Sequence, residues 1–287
     1  MRKFKDIAAA AQAAAALEAS SEKPGNVTPT HDFADASYAD YLAGSIAIGS
    51  CIEAAAQRGF AAGRTDIPPA DIGIGELILA GATDISRSHA GGNTHLGTLM
   101  LLVPIAAAAG MCIAQKKGFA GIRQNVREVI RKSTKKDSRN LYRAIRKARP
   151  GGLGKLEVKE APFSRLMRMS AKKDRVAEEL SGGMKIIFEI GLPALEKSFK
   201  ATGDIRAAAA ETYMTILSRF PDTLIAKKCG VDAAKDVSSK AQAVIEGSFT
   251  VNGFDGYLRS RGNALNPGTT ADIVSATLFV WKLKKIL

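Results

Sequence analysis

The sequence feature that most constrains the fold is an uncharged stretch of 19 residues, from Leu96 to Ala114. This length approaches the roughly 20 apolar residues that an α-helix needs to cross a bilayer. Several alanines, two glycines, a threonine and Pro104 make the stretch only weakly hydrophobic, and polar turns flank it. We therefore predict a helix buried at the centre of a helical domain rather than a membrane span.

Composition points to an all-α fold around that helix. Apolar residues make up 46% of the 287 residues, and aromatic residues only 6%. Alanine-rich stretches dominate and runs of alternating β-branched residues are scarce, which favours helices over strands. The sequence shows neither an internal repeat nor a linker rich in Pro and Ser. We therefore predict a single all-α domain over residues 1–287.

Proline and glycine set the limits of the predicted helices. Pro68-Pro69 precedes one helix and Pro150-Gly151-Gly152 ends another, because proline cannot continue a helix and glycine often closes one. The segment 149–163 is a candidate lid, or simply a connection between helices. The helices are predicted at 4–19, 36–62, 70–86, 94–114, 119–133, 138–148, 164–180, 184–200, 204–219, 222–229, 231–246 and 270–285.

Three polar turns rich in Gly, Asn and Thr each precede an apolar, helix-forming stretch. We call them elbow 1 (residues 23–28), elbow 2 (residues 91–95) and elbow 3 (residues 266–272). The free backbone N–H groups at a helix N-terminus suit phosphate. One such turn would be an ordinary helix cap, but three of similar chemistry predict loops that converge on one anionic ligand.

The net charge of +13 is concentrated in one segment. Residues 115–175 hold 20 Lys and Arg against 5 Asp and Glu. Nucleic acid could bind such a segment, but it has only three aromatic residues and no recognisable nucleic-acid module, so nucleic acid is the least favoured partner. A rim that attracts polyanionic substrates would need the same charge, and a solvated helix face would also carry it.

Cysteine usage and the N-terminal region bear on the compartment. Cys51, Cys112 and Cys229 are far apart and lack metal-ligand spacing, which is typical of small core residues in a reducing compartment. Residues 1–20 have the basic start and alanine-rich middle of a signal peptide, but Asp6 and Gln12 interrupt the pattern. We therefore expect a cytoplasmic protein without structural zinc or membrane contact.

Five motifs, in order from about Glu22 to Phe279, resemble the triphosphoribosyl-dephospho-CoA synthase family. No single motif is specific, but the ordered set is. The match is closer to the archaeal and methylotroph branch than to the enzymes of citrate and malonate lyase maturation, which have a His two positions before the first aspartate, where this chain has Phe33. The motifs are Lys23-Pro24-Gly25, Asp35 with Tyr41-Leu42-Ala43, Gly92-Asn93-Thr94-His95-Leu96-Gly97, Pro221-Asp222-Thr223 and Pro267-Gly268-Thr269-Thr270-Ala271-Asp272.

The resemblance implies an enzyme with two polyanionic substrates. The ribose 2′-hydroxyl of dephospho-CoA attacks the anomeric carbon of ATP, adenine leaves and a triphosphoribosyl group is transferred. Nearby carboxylates, a base and an acid help such an oxocarbenium-like transition state, and Mg²⁺ would bind the triphosphate. The alternatives are a related ribosyl-phosphate transferase in the synthesis of a C1-carrier cofactor, and a non-catalytic helical protein that binds nucleic acid. A homodimer is compatible with the sequence.

Most of the candidate residues come from these motifs. The catalytic candidates are Asp35, His95 and Asp222. The carboxylates predicted to surround one Mg²⁺ are Asp35, Glu76, Asp222 and Asp272, of which Glu76 is added because a carboxylate on an otherwise apolar helix needs a partner. The residues predicted on substrate phosphates are Lys23, Gly25, Asn26, Gly92, Asn93, Thr94, Gly268, Thr269 and Thr270.

Local structure offers a second interpretation for several of these residues. Asp35 and Asp222 each precede a predicted helix, where aspartate is a common N-cap. Thr269 and Asp272 have the spacing of a capping box. Elbow 1 is also an ordinary turn after the first helix. The sequence alone does not choose between capping and catalysis at these positions.

Overall fold

The protein is all-helical in the computed structural model, which describes residues 2–151 and 158–287. Across these residues the elements are fifteen α-helices, two short 3₁₀ turns and one π-helical turn, with one isolated antiparallel bridge between Thr28 and His31. The all-α prediction is confirmed. Residues 152–157 of the candidate lid lie outside the described residues.

The helices follow one another with short connections. They are α1 (Arg2–Ser20), α2 (Tyr38–Ala47), α3 (Gly49–Gly63), α4 (Ile74–Ser88), α5 (Leu96–Gln115), α6 (Ile122–Lys132), α7 (Lys135–Ala148), α8 (Phe163–Ser170), α9 (Arg175–Gly182), α10 (Leu192–Thr202), α11 (Ile205–Arg219), α12 (Thr223–Cys229), α13 (Val231–Ile245), α14 (Val251–Arg259) and α15 (Gly268–Leu283).

Helix α5 is the buried central helix that the uncharged stretch predicts. Helices α3, α6 and α15 pack around it. A side chain at Gly59 of α3 or at Gly110 of α5 would collide with the backbone of the other helix, so these two helices touch backbone to backbone. Within the described residues, α5 alone is long and apolar enough to cross a membrane, and 83% of its most apolar window is buried inside the protein.

Two predicted helices are divided in the structure. The predicted helix 36–62 breaks at Ile48, because the Gln12 side chain of α1 donates a hydrogen bond of 2.6 Å to the carbonyl of Ile46. A side chain inserted into the helical ladder is a usual cause of such a break. The predicted helix 164–180 is divided where Asp174 caps a new helix by accepting from the amide of Ala177 at 2.9 Å.

The sequence prediction also missed one helix and one π-turn. Helix α14 was not predicted because Gly253 and Gly256 lower helix propensity, although Thr250 caps it. The π-turn Ile186–Gly191 precedes α10, and the buried Glu179 carboxylate accepts the first two amides of that turn. Burial raises the pKa of Glu179 to about 7, and those two hydrogen bonds oppose the rise.

One end of the bundle brings several helix ends together. The hydroxyl of Tyr38 at the start of α2 lies 2.8 Å from that of Ser20 at the end of α1. Thr98 in the first turn of α5 contacts Asp272 in the second turn of α15, and Asp222 at the start of α12 contacts Thr270. The N-termini of α5, α12 and α15 therefore meet at one place, which favours negative charge there.

Candidate functional site

Hydrogen bonds join elbow 2 to the loop before α2 and to the connection after α14. The backbone carbonyl of Asp35 accepts from the amide of Gly92 at 2.8 Å. The Oδ1 atom of Asp35 accepts from Nδ2 of Asn263 at 3.0 Å. Asp35 is exposed, and it lines a cavity of about 680 Å³ with Arg259, Arg261 and Asn263. Asp35 therefore stands at an accessible point between three chain segments.

Elbow 1 is held against α14, the helix that the sequence prediction missed. The amide of Gly25 donates to Oδ1 of Asp255 at 2.8 Å. Arg259 donates to the carbonyl of Asn26 at 2.8 Å and pairs with Asp255. The N–H of Gly25, predicted on a phosphate, is thus already used. Elbow 1 contributes to the site mainly by the position that α14 gives it.

Lys23 does not face a substrate in this structure, which corrects the prediction that it binds phosphate. Its side chain is buried, and Nζ lies 3.1 Å from Oε1 of Glu18. Its hydrogen bonds go to the backbone carbonyls of Ser21, at 3.0 Å, and Glu18. Burial raises the pKa of Glu18, and the Lys23 charge opposes that rise. The ammonium group compensates a buried carboxylate.

Asp222 is a saturated buried carboxylate. Its Oδ1 accepts from the amides of Leu224, at 2.8 Å, and Ile225, at 3.3 Å. Its Oδ2 accepts from the amide and the hydroxyl of Thr270, at 2.7 and 2.8 Å. Burial raises the pKa of Asp222, and the hydrogen bonds from Thr270 are the first to oppose it. One carboxylate thus caps both α12 and α15.

This geometry corrects the roles predicted for Asp222 and elbow 3. The Asp222 carboxylate takes the place at the α15 N-terminus that was predicted for phosphate, since it holds the amide of Thr270. The amide of Gly268 donates to the carbonyl of Asn266 at 2.9 Å, and the hydroxyl of Thr269 lies 3.2 Å from that of Thr223. Elbow 3 is therefore closed by contacts within the protein, and Asp222 links α12 to α15.

Asp272 is a half-buried carboxyl with few donors. Its Oδ1 accepts from the hydroxyl of Thr98 at 2.7 Å. A side chain at Gly97 would collide with the carboxyl group, so this glycine allows the close approach. Burial raises the pKa of Asp272 to about 8; the charges of Glu18 and Asp222 add to the rise, and the Thr98 hydrogen bond opposes it. Asp272 can therefore hold or release a proton near neutral pH.

Three of the four predicted metal carboxylates, Asp35, Asp222 and Asp272, act electrostatically on neighbouring groups of the site. Burial, and then the charges of Glu18, Asp272 and Asp35, raises the pKa of the Tyr41 hydroxyl, so these carboxylates face one phenol. The charge of Asp222 in turn contributes to the raised pKa of Asp272. Across residues 2–151 and 158–287, however, no group of three or more His, Cys, Asp or Glu side chains is arranged to hold a metal ion.

Glu76 lies apart from these carboxylates, which corrects its predicted place in the cluster. Its Oε1 accepts from Arg58 at 2.8 Å, and Lys136 lies 3.8 Å from Oε2. The hydrogen bond from Arg58 lowers the pKa of Glu76. Glu76 lies in the first turn of α4, and elbow 2 follows the last turn, so about 13 residues at roughly 1.5 Å each separate the two places.

His95 is enclosed by a chain of hydrogen bonds that also assigns its protons. The hydroxyl of Ser45 donates to the carbonyl of Tyr41 at 2.8 Å, so its oxygen accepts from Nε2–H of His95 at 3.2 Å. Burial lowers the pKa of His95 to about 3, which makes the ring neutral and leaves Nδ1 as an acceptor. The Thr94 hydroxyl donates to that Nδ1 at 2.8 Å.

Both ring nitrogens of His95 are therefore occupied. This corrects its predicted contact with substrate: His95 fixes elbow 2 against α2 and acts as a positioning residue. Thr94 is committed in the same way. Asn93 caps α5 by accepting from the amide of Leu96 at 3.2 Å, and Gly92 donates to Asp35. Elbow 2 is built by these contacts, and its outer face lines a cavity.

Some buried polar atoms at the site have no hydrogen-bond partner in the described part of the chain. They include Oδ1 of Asn266. A buried polar group without a partner costs about 1–3 kcal/mol. The buried Asn26 side chain lies close enough to Tyr213 to oppose the rise in the pKa of that hydroxyl, and its contact with a substrate phosphate stays a prediction.

Three residues at the site were missed by sequence reasoning. Arg259 lies at the end of α14 and Asn263 in the connection after it, and α14 was not predicted. Lys228 ends α12 and donates to the carbonyl of Asn263 at 3.0 Å. Burial lowers the pKa of Lys228, and the charge of Asp35 opposes the decrease, so a cation lies near the exposed aspartate. No sequence pattern distinguishes a lysine near the end of a short helix as a site residue.

Comparison with known proteins gives a consistent family. A family model described as ATP:dephospho-CoA triphosphoribosyl transferase matches residues 4–287. Two proteins named as probable 2-(5''-triphosphoribosyl)-3'-dephosphocoenzyme-A synthases are similar. The one from Acinetobacter calcoaceticus is 24% identical over 67% of this chain and 62% of its own length, and the one from Malonomonas rubra is 28% identical over 68% and 60%. The chain thus spans about three-fifths of the length of these relatives.

A solved structure shares the fold. It comes from Archaeoglobus fulgidus and is described as a candidate triphosphoribosyl-dephospho-CoA synthase. The TM-score is 0.61 at 23% identity, and the match covers 85% of this chain and 98% of the other. The likeness therefore extends over the helical bundle that positions the three elbows.

Proposed function

Because the chain belongs to the ATP:dephospho-CoA triphosphoribosyl transferase family, we propose that it transfers a triphosphoribosyl group from ATP to the ribose 2′-hydroxyl of dephospho-CoA or a similar acceptor. The observation that carries the proposal is the Asp272 carboxyl. It lies where the N-termini of α5 and α15 meet, accepts a single side-chain hydrogen bond, and has a pKa raised to about 8. A base is most effective when its pKa is near the working pH.

The proposed chemistry assigns a proton transfer to Asp272. The acceptor hydroxyl oxygen forms a bond to the anomeric carbon of ATP while the bond from that carbon to adenine breaks. The electron pair of the broken bond leaves with adenine, which then takes up a proton. Asp272 receives the proton of the attacking hydroxyl, and Thr98 holds the carboxyl in position by its hydrogen bond of 2.7 Å. Gly97 leaves the space for this arrangement.

Asp35 fits a different task in the proposal. It is exposed, its Oδ1 is oriented by Asn263, and Oδ2 is not used by that bond. Mg²⁺ on a triphosphate takes one or two protein carboxylates together with phosphate oxygens, so Asp35 is the residue that would hold it. The ion would offset the charge of the triphosphate. Lys228 and Arg259 lie on the same side of the site and offer further positive charge for ATP.

The free cysteines and the use of ATP support a cytoplasmic location for this reaction. All three cysteines are free thiols, two of them buried, as in proteins of reducing compartments. The basic segment supports attraction of two polyanionic substrates rather than of nucleic acid, because the carboxylates and elbows lie outside it. A helical nucleic-acid binder would have no use for them.

The test is to incubate the protein with ATP, dephospho-CoA and Mg²⁺ and to measure free adenine by chromatography. We expect adenine to appear together with a matching amount of the triphosphoribosylated acceptor, found by mass spectrometry. Adenine without a modified acceptor would indicate hydrolysis of ATP and would refute the transfer. Omitting Mg²⁺ tests the metal separately, and replacing dephospho-CoA by other nucleotides tests the acceptor.

A further inference from the structure

A second cavity lies on the outer face of elbow 2, away from the Asp35 cavity. The last turns of α4, elbow 2 and the start of α5 form one wall, and the C-terminal end of α7 forms the other. Its volume is about 500 Å³, within the range of small-molecule sites. We call it the α7 cavity. Gly92 lines it, and the amide of Gly92 donates to the carbonyl of Asp35, so one hydrogen bond links its wall to the loop that carries Asp35.

Three cations border this cavity within four consecutive positions. Arg146, Lys147 and Arg149 all line it, and all three are exposed. Cations near a helix C-terminus are stabilised by the helix dipole, which accounts for Arg146 and Lys147 in part. Arg149 lies beyond α7 with φ at 48°, a left-handed conformation that is uncommon for a residue with a side chain. Together the three side chains form an anion-binding rim.

His89 supplies an independent observation on the opposite wall. Its side chain is only 4% exposed, and its Nδ1 has no hydrogen-bond partner. The Thr94 hydroxyl donates to His95, so its oxygen accepts from Nε2–H of His89 at 3.2 Å. The unpaired Nδ1 is 3.8 Å from Oδ1 of Asp40. A buried imidazole atom without a partner, on the wall of a cavity rimmed by cations, points to a bound ligand.

The floor of the α7 cavity is apolar. Side chains of α4, α5 and α7 form it, namely Ala82, Ile85, Leu96, Leu99 and Ala148. A ligand that fits an apolar floor under a cationic rim has an anionic group joined to a long, weakly polar arm. Dephospho-CoA has a diphosphate joined to its pantetheine arm, whereas the triphosphate of ATP ends without such an arm. The lining therefore matches the acceptor better than ATP.

We propose that the α7 cavity binds the diphosphate and the pantetheine arm of the CoA-like acceptor. Arg146, Lys147 and Arg149 contact the diphosphate, and the buried His89 lines the wall opposite them. The proposal rests on the proposed function, because it takes the acceptor from that reaction. It also gives part of the basic segment a local role, in addition to general attraction of anions.

The test is a pair of two-charge variants drawn from the same basic segment. Arg146→Ala with Arg149→Ala removes charge from the cavity. Lys172→Ala with Lys173→Ala removes the same charge from an exposed place outside it. We expect the first variant to raise the KM for dephospho-CoA at least about tenfold, since charge-assisted hydrogen bonds contribute about 1.5–3 kcal/mol. Its kcat and its KM for ATP stay close to the wild-type values. The second variant changes neither KM by a comparable amount.

The outcomes separate this proposal from the proposed function. If the wild type is active and the cavity variant keeps its KM for dephospho-CoA, the cavity proposal is refuted and the reaction stands. A rise in the KM for ATP instead would assign the cavity to the triphosphate and also refute it. If the wild type releases no adenine, calorimetric titration with dephospho-CoA decides. Equal Kd values for wild type and cavity variant then overturn the proposal, and weaker binding by the variant alone supports it.

Discussion

Asp222 is a buried and Asp272 a half-buried carboxyl group in contact with the same elbow, and they differ in how many donors face them. Asp222 accepts four hydrogen bonds, three of them from backbone amides. Asp272 accepts from the hydroxyl of Thr98, has the amide of Thr98 as a weaker second donor, and otherwise lies against Gly97. The count of donors separates a carboxylate that joins two helices from one that is poised to exchange a proton.

The sequence motifs singled out both aspartates equally. Each lies within two residues of a threonine near the start of a helix, and nothing in the local sequence shows which donors the folded protein brings from elsewhere. Thr270 reaches Asp222 across 48 positions of the chain. The comparison therefore teaches that position in a motif locates a site, while the donors around each carboxyl decide its part in it.

The largest expected effect is that of Asp272→Asn on activity. The amide keeps the shape and loses the base, so adenine release should fall by roughly 10²–10⁴-fold. Helical content by circular dichroism should be unchanged. Asp204→Asn is the matched control, because Asp204 is an exposed cap of α11 and Asn caps equally well. Activity of the Asp272 variant within a fewfold of the wild type would remove Asp272 from the mechanism.

Asp222→Asn should act mainly on stability. The NH₂ group of the new Asn side chain would face the donors of Thr270 or those at the start of α12. Buried backbone amides there would then lose their hydrogen-bond acceptor. We expect the free energy of unfolding, measured in denaturant, to decrease by about 2–3 kcal/mol, with the Asp204 control unchanged. Under conditions where the variant is folded, it should retain much of its activity. A stable but inactive Asp222 variant would show that the contrast between the two aspartates is mistaken.

Stability should also depend on pH through Asp272. The ordinary pKa of an aspartate is 3.8, and the folded protein raises it to about 8. The stability contributed by the protonated carboxyl is therefore fully present below about pH 4 and is lost as the pH rises through about 8. Asp272→Asn should melt at a higher temperature than the wild type above that pH, and the difference should shrink as the pH falls. An equal difference at all pH values would contradict the raised pKa.

The smallest expected effect concerns general attraction of substrates by the basic segment. Neutralising Lys116, Lys117, Lys132, Lys135 and Lys136 together should slow capture of polyanionic substrates, by up to about tenfold at low ionic strength. The chemical step should not change. The effect should fade with added salt, because the Debye length is about 8 Å at physiological ionic strength. If the variant and the wild type captured substrate at the same rate at low salt, the basic segment would be an ordinary solvated surface with no part in attracting substrates.

Most of the fold follows from the sequence because its signals are local. The uncharged stretch predicted α5, and the prolines and glycines predicted most of the helix ends. The missed features depend on contacts between distant segments. Gln12 divides α2 from α3 through Ile46, and α14 forms despite two glycines because Phe254 and Leu258 are buried.

The site was predictable in its location and less so in its roles. The starts of α5 and α15, which follow elbows 2 and 3, meet at Thr98 and Asp272, and elbow 1 packs against α14. Lys23, His95 and Asp222 were assigned to substrate or metal from their motifs, but each is occupied by a partner that the pattern does not reveal. Glu76 was expected to find a partner, and the partner is Arg58 rather than a metal. The pairing of buried polar groups is a property of the tertiary structure.

The most direct test of the central claim is the pH dependence of kcat/KM for adenine release, from about pH 6 to 10. If Asp272 is the base, kcat/KM rises with pH and levels off with an inflection near about 8. Thr98→Val removes the hydrogen bond that lowers this pKa, and it should move the inflection to higher pH. A profile without an inflection between about pH 7 and 9, or one that Thr98→Val leaves in place, would contradict the account.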